Sequence, residues 1–250
     1  MENKKITLVV VGLIMAFALN ALIVGHALQR FRKEDRTISV KGFSEREVKS
    51  DLALWTIQCR VATNDILDGS REMEKAKNEV VAFLDRNGFT QEEIIQKDLV
   101  VNDKMANEYM NFENRIGFRY IIDKVIQVRS GNVEKVQQVS RMTDDLLKAG
   151  VYISNQNNWE GPVRYYFTKL NDIKPDMLIE ATRNAQLAAT QFTNESQVQL
   201  GKLKRASQGL FSIVDRDQSL NQGDGGNYAP NTMDIYKKVR VVVSVEYSIE

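Results

Sequence analysis

VRYYFTKL at 163–170, NDIKPDMLIEATRNAQLAATQFTNESQVQLGK at 171–202 and LKRASQGLFS at 203–212 read in order as a strand, a long helix and a second strand. Asn171 and Asp172 offer side-chain oxygens to the free N–H groups of the helix start. Pro175 falls early, where a missing N–H costs little. Leu178, Ala181, Ala185, Ala188 and Phe192 recur at steps of three and four, which makes one apolar stripe. Because the stripe is mostly alanine, the helix is expected to lie close against a sheet.

Upstream, Ala53, Trp55, Ile57, Cys59 and Val61 alternate with Thr56, Gln58 and Arg60, as in a half-buried strand. Ile38, Val40 and Gly42 alternate in an earlier strand, and Lys49-Ser50-Asp51 makes the turn between the two. A helix follows over 66–87 on Met73, Ala76, Val80 and Phe83 or Leu84, with Gly88 as its left-handed stop. Strands are expected at 94–101 and 118–129, the latter with Phe118, Tyr120, Ile122, Ile126 and Val128 on one side. Residues 105–115 between them read as a hairpin tip or irregular strand. Asn132 caps a second helix to about Ala149, striped by Val136, Val139, Thr143 and Leu146 and ended by Gly150. LWTIQCRV…VVAFLDRNGF and DKVIQVRS…DDLLKAGV therefore share one pattern of strand, helix, glycine and apolar residue. This is an internal structural repeat whose two helices should cover the same face of one sheet. Downstream, Asp215–Asp234 is rich in Gly, Asn and Asp and reads as a flexible loop. Val239, Val241, Val243, Val245 and Tyr247 mark a final strand over 236–249, set within the sheet.

At the other end, residues 6–25 (ITLVVVGLIMAFALNALIVG) are apolar but for Asn20. About 20 such residues cross a hydrocarbon core of ~30 Å as a helix. Lys4 and Lys5 precede the run, and Arg30, Arg32 and Lys33 follow it, so charge alone does not orient it. The run exceeds the roughly 7–15 apolar residues of a cleaved signal, which favours an uncleaved signal anchor. The competing reading is a cleavable signal peptide, with Gly25 and Ala27 as small residues for a peptidase. His26 sits at the expected membrane boundary.

The chain has 250 residues, 27% of them charged, and a net charge of +1. Such a balance argues against a nucleic-acid binder, which carries a basic excess. One cysteine rules out an intrachain disulfide, and one histidine with one cysteine argues against a zinc site. Cys59 points to the apolar side of its strand and reads as an inert buried thiol. A hydrolase triad would need a histidine base, and His26 is the only histidine. Asp144–Asp145 and Glu92–Glu93 read as solvated charge. The GDGG of 223–226 lacks the following Lys-Ser/Thr of a phosphate loop and the acidic spacing of a calcium loop. Arg164, Tyr165, Tyr166 and Phe167 suit a binding surface, but core packing with a cross-strand partner is the favoured reading. Trp159 suits either a place under the domain or a subunit interface. No catalytic, cofactor-binding or metal residue is assigned.

Taken together, these segments resemble the SIMPL-domain family of bacterial envelope proteins, which includes a periplasmic immunogen. Ile38-Ser39-Val40-Lys41-Gly42 is similar to the family's opening V-x-G strand. Asp51-Leu52-Ala53 matches its P-D-x-A turn, with Ser50 where proline is usual. Gly88-Phe89 with Ile94-Ile95-Gln96, the alanine-rich helix running into Leu200-Gly201-Lys202, and the Val239–Tyr247 strand follow in the family's order. The usual Pro-Gly before the last strand is replaced around Asn231-Thr232-Met233. The resemblance implies an α+β domain on the periplasmic or outer side, assembly into large rings as for the immunogen, a link to oxidative-stress defence, and no established catalytic residues.

The expectation is an α+β chain of repeated strand–helix units, with helices packed on a largely antiparallel sheet and preceded by one N-terminal transmembrane helix. Residues 1–29 form the anchor, 30–36 a charged linker and 37–250 the SIMPL-like domain. The protein is read as non-enzymatic, held in the bacterial inner membrane through residues 6–25 with its domain in the periplasm, and homo-oligomeric. No nucleic acid and no cofactor are expected. The alternatives are release into the periplasm after signal cleavage, and a tethered module for a small apolar or lipid ligand.

Overall fold

The computed structural model describes residues 12, 15, 17–22, 24–25, 36–106, 117–154, 161–217 and 232–249. Residues 17–22 are helical, but most of the expected anchor and linker lie outside the described residues, as do His26, Trp159 and the GDGG segment. Among the described residues no helix is long and apolar enough to cross a membrane. The elements are β1 (Thr37–Lys49), β2 (Leu52–Thr63), α1 (Ile66–Arg86), β3 (Ile94–Asp103), β4 (Tyr120–Ser130), α2 (Val133–Ser140), α3 (Asp144–Lys148), β5 (Val163–Tyr166), α4 (Leu170–Glu195), β6 (Leu200–Gln208), β7 (Ser212–Asp215) and β8 (Tyr236–Ile249). The fold is α+β, with antiparallel sheets and helices packed on them. Two compact units divide it: Met1–Glu45, Ile173–Phe211 and Arg240–Glu250 form the first, and Arg46–Asp172 with Ser212–Val239 the second.

In the second unit the sheet order is β3-β4-β2-β5, antiparallel throughout. The chain order β2–α1–β3 then β4–α2–α3–β5 makes this a split pair of β–α–β units, as in ferredoxin-like sheets. Both helices pack against β2. The expected face of β2 is buried in full, from Ala53 through Trp55, Ile57 and Cys59 to Val61. It meets Met73, Val80 and Leu84 of α1 and Val133, Val136 and Val139 of α2 in one core. Asp65 starts α1 by accepting from the N–H groups of Leu67 and Asp68 at 2.8 and 3.2 Å. Gly88, at φ +79°, turns the chain out so that Phe89 enters the core. Asn132 caps α2 through the Lys135 N–H at 3.0 Å, as the sequence predicts.

The second helix is not continuous to Ala149. The Ser140 hydroxyl donates to the Gln137 carbonyl at 3.1 Å, the acceptor that the Arg141 N–H would use in an α-helix. The Arg141 and Met142 N–H groups instead reach back three residues, to Gln138 and Val139, and α3 starts afresh. Two strand readings also shift. Phe118 lies before β4 and is exposed, and the strand expected over 163–170 stops at Tyr166.

The turn after β1 is held by Asp51. Burial pushes its carboxyl up, but hydrogen bonds from the Thr168 hydroxyl and N–H, both 2.6 Å, outweigh this and hold it below the usual carboxylate range.

The first unit centres on α4, β6 and the adjoining parts of β1 and β8. The latter two strands pair within a sheet of order β1-β8-β6. Val241, Val243, Val245 and Tyr247 are buried on alternate positions, as expected. The stripe of α4 is displaced from the one expected. Its buried residues are Met177, Ala181, Ala185, Ala189 and Thr193, a strict i+4 row, while Phe192 is exposed. The helix also begins at Leu170, so Asn171 and Asp172 lie inside its first turn. What selects the row is Gly42 of β1. A β-carbon there would stand 2.8 Å from Cα of Ala185 and closer still to the Ala181 carbonyl oxygen and the Ala185 nitrogen. Strand and helix backbones therefore touch. Flanking this contact, the Ser44 hydroxyl donates to Glu180 at 2.8 Å and Asn184 donates to the Phe43 carbonyl at 2.9 Å.

Gly42→Ala is expected to lower unfolding stability by roughly 2–3 kcal/mol. Adding Ala185→Gly should not restore it, because the clash is with backbone atoms. Urea denaturation of the single and double variants checks both statements.

Candidate interaction surface

β3 is the outermost strand of its sheet, so among the described residues the backbone groups on one side of it have no strand partner. The sequence places Leu99, Val100 and Val101 consecutively in it. A register shift between Gln96 and Leu99 resets the pairing, after which Leu99 faces Lys124, Val100 faces Asp123 and Val101 faces Ile122. The three side chains remain 49%, 59% and 43% exposed, on both faces of the strand. Three apolar residues in a row on an open edge are what soluble proteins ordinarily avoid.

The far end of this arm is clasped. Arg119 lies against the Asp103 carboxylate through Nε at 3.1 Å and NH2 at 2.8 Å, and its guanidinium stacks 4.8 Å over Tyr120. The Arg119 side chain thereby holds the Asp103 carboxyl below its ordinary range. The Lys124 ammonium ties back to the Lys97 carbonyl at 2.6 Å. Register puts Asp103, Tyr120 and Thr63 in one row, and α1 starts just beyond Thr63. Exposed Leu67, Met105 and Phe118 thus gather at the same end of the sheet as Val101. Sequence reading placed residues 94–101 in a strand but did not single out this run. Its signal, three adjacent apolar residues, is the same one that a buried strand gives.

Among the described residues, Asp144–Asp145, Glu93 and Tyr165 lie apart from one another. Asp144 and Asp145 are exposed, with Asp145 paired to Lys148 at 3.0 Å. Glu93 pairs with Lys135 at 3.5 Å, and Lys135 also sits 4.3 Å over the Phe89 ring. Tyr165 is buried in the core, where burial raises its hydroxyl pKa. Among the described residues no group of three His, Cys, Asp or Glu is placed to hold a metal. Arg60 grips Asp123 across β2 and β4 at 2.8 and 3.1 Å, and Gln58 joins it at 3.1 Å. A cleft of about 130 Å³ beside Arg60 is walled by Glu72, Lys75, Glu79 and Tyr152. That volume is below the roughly 300–1,000 Å³ of small-molecule sites, and its charged walls do not suit an apolar ligand.

Asp215, expected at the start of a solvated loop, is instead buried on β7. It forms an ion pair with Lys237 of β8, the two side chains being 7% and 3% exposed. Its second oxygen accepts from the Met233 and Asp234 N–H groups at 3.2 Å each. Lys237→Met should cost about 3–5 kcal/mol by stranding the carboxylate. The double change Lys237→Met with Asp215→Leu should recover part of that, since it removes the stranded charge. Denaturation of the natural chain and the two variants measures it.

Cys59 lies fully buried, and burial pushes its thiol pKa up to about 11. In the unfolded chain a thiol titrates near 8.5. The unfolded state therefore loses its proton first, and this group's contribution to stability is complete below about pH 8.5 and falls as pH rises toward 11. Native protein at pH 8 should resist thiol alkylation, unfolded protein should react at once, and Cys59→Ala should flatten the alkaline loss of stability.

No curated protein matches the chain. The profile of one family, SIMPL, described as "Protein of unknown function (DUF541)", does match, over residues 38–247. That span takes in the strands, helices and edge described above, and the chain belongs to the SIMPL family.

Proposed function

We propose that the protein is a membrane-anchored envelope protein that works without catalysis, by self-association through the open β3 edge. The exposed Leu99-Val100-Val101 run on an edge strand carries the reading. An edge of this kind gains main-chain hydrogen bonds and buries apolar area when a second strand is added. Other supports come from the sequence. The apolar run 6–25 has the length of a membrane span, and the helical residues within it expose Phe17, Leu19 and Leu22, as a lipid-facing helix does. In this reading residues 1–29 anchor the chain in the bacterial inner membrane, 30–36 link, and 37–250 act in the periplasm. β2–α1–β3 and β4–α2–β5 are copies of one strand–helix unit, duplicated to make the sheet that presents the edge. A part in oxidative-stress defence belongs to the same proposal. The buried, protonated Cys59 leaves that role to assembly rather than to the chain's own thiol.

The test is the native mass of the detergent-solubilised full chain by light scattering. A discrete oligomer is expected for the natural sequence, and a shift to the monomer for Val100→Glu. A monomeric natural chain, or an oligomer indifferent to Val100→Glu, would sink the β3 assignment. A specific turnover by the purified protein would sink the non-catalytic one.

A further inference from the structure

β6 is the outer strand of its sheet, with β8 as its partner. Its sequence, LGKLKRASQ, holds three cations and no acid, and every residue from Lys202 to Gln208 is exposed. An apolar side chain accompanies the charges: Leu203 lies between Lys202 and Lys204 and is 52% exposed.

The position of this strand is set by the chain's entry into the unit. The Ile249 N–H donates to the Arg36 carbonyl at 3.1 Å, Leu200 stands opposite Ile249, and the Lys202 N–H donates to the Ser248 hydroxyl at 2.9 Å. Arg36, Ile249 and Leu200 thus form one row, and Lys202, Leu203 and Lys204 begin within two rungs of it, about 7 Å along the strand. Only ten residues, 26–35, separate this row from the apolar run 6–25. Ten residues reach at most ~35 Å when fully extended.

We infer that the β6 edge, with Lys202, Leu203 and Lys204 at its centre, docks on an anionic phospholipid surface. The inference rests on the anchored reading above. Lysine ammonium groups meet the headgroup phosphates, while the Leu203 side chain enters the acyl boundary, as at other interfacial surfaces. Arg205 takes a lesser part, since Glu246 stands opposite it in the β6–β8 register. Lysines on an edge strand also blunt pairing between edges. Exposed Leu203 and the short tether distinguish the membrane reading, because blunting needs neither.

The experiment uses the full chain in lipid nanodiscs, of phosphatidylcholine alone or mixed with phosphatidylglycerol. Amide hydrogen exchange is followed across residues 200–208. Slower exchange in the anionic discs is expected, reversed by high salt and weakened about fivefold per charge removed in Lys202→Gln and Lys204→Gln. A chain seated in the discs whose β6 exchanges equally in both lipids overturns the docking and leaves the anchor standing, with the lysines only blunting the edge. A chain that does not enter the discs overturns both. Protection that appears in detergent and grows with protein concentration overturns the docking in favour of a second copy.

Discussion

At Gly42 a strand and a helix approach until their backbones touch, and the first unit is built on that contact. With no β-carbon on β1, the Ala181 carbonyl and the Ala185 nitrogen of α4 come to the strand surface. Only a helix with small residues at every fourth position can follow such a path, and α4 supplies Ala181, Ala185 and Ala189 between the larger Met177 and Thr193. The valines of β8 and Tyr247 are buried on the same alternation. Close approach also leaves no room for a ligand between helix and strand at this point. An alanine-lined helix, which on sequence alone suits either a close-packed contact or an apolar pocket, here serves the former.

The second unit solves a different problem. β2 carries the core on one face and hydrogen-bonds to β4 and β5 on its two sides, so both helices can share one packed surface. The cost is that β3 is pushed to the margin. Its outer residues are exposed, and the strand keeps its order through pairing with β4 and through the Arg119–Asp103 clasp. A well-filled interior and an open apolar margin are products of the same strand order.

Much of this was legible in the residues themselves. Period-two alternation located β2 and β8 and their buried faces, and local chemistry marked Asn132 as a cap and Gly88 as a stop. What the residues did not reveal had specific causes. In α4 alanines occupy several faces, so hydropathy does not choose among neighbouring rows; the choice comes from Gly42, far away in the chain. The break after Ser140 involves no glycine or proline, only a hydroxyl competing for one carbonyl. Asp215 and Lys237 look like ordinary surface charge until folding brings β7 beside β8. The edge at Leu99–Val101 reads as core because sequence shows how apolar a strand is and not where it stands in the sheet.

The pairing of β1 with β8 sets an order of events. β1 leaves the ribosome before the other strands described, yet its partner is the last of them, so this ladder cannot form until all of them have emerged. β2, α1, β3 and β4 follow one another closely and can close their part of the sheet long before, since nearby segments meet at lower entropic cost than distant ones. During synthesis β1 is therefore a solitary strand until β8 appears. Such a chain closes late, and β1 is the segment that a holding chaperone has most reason to cover.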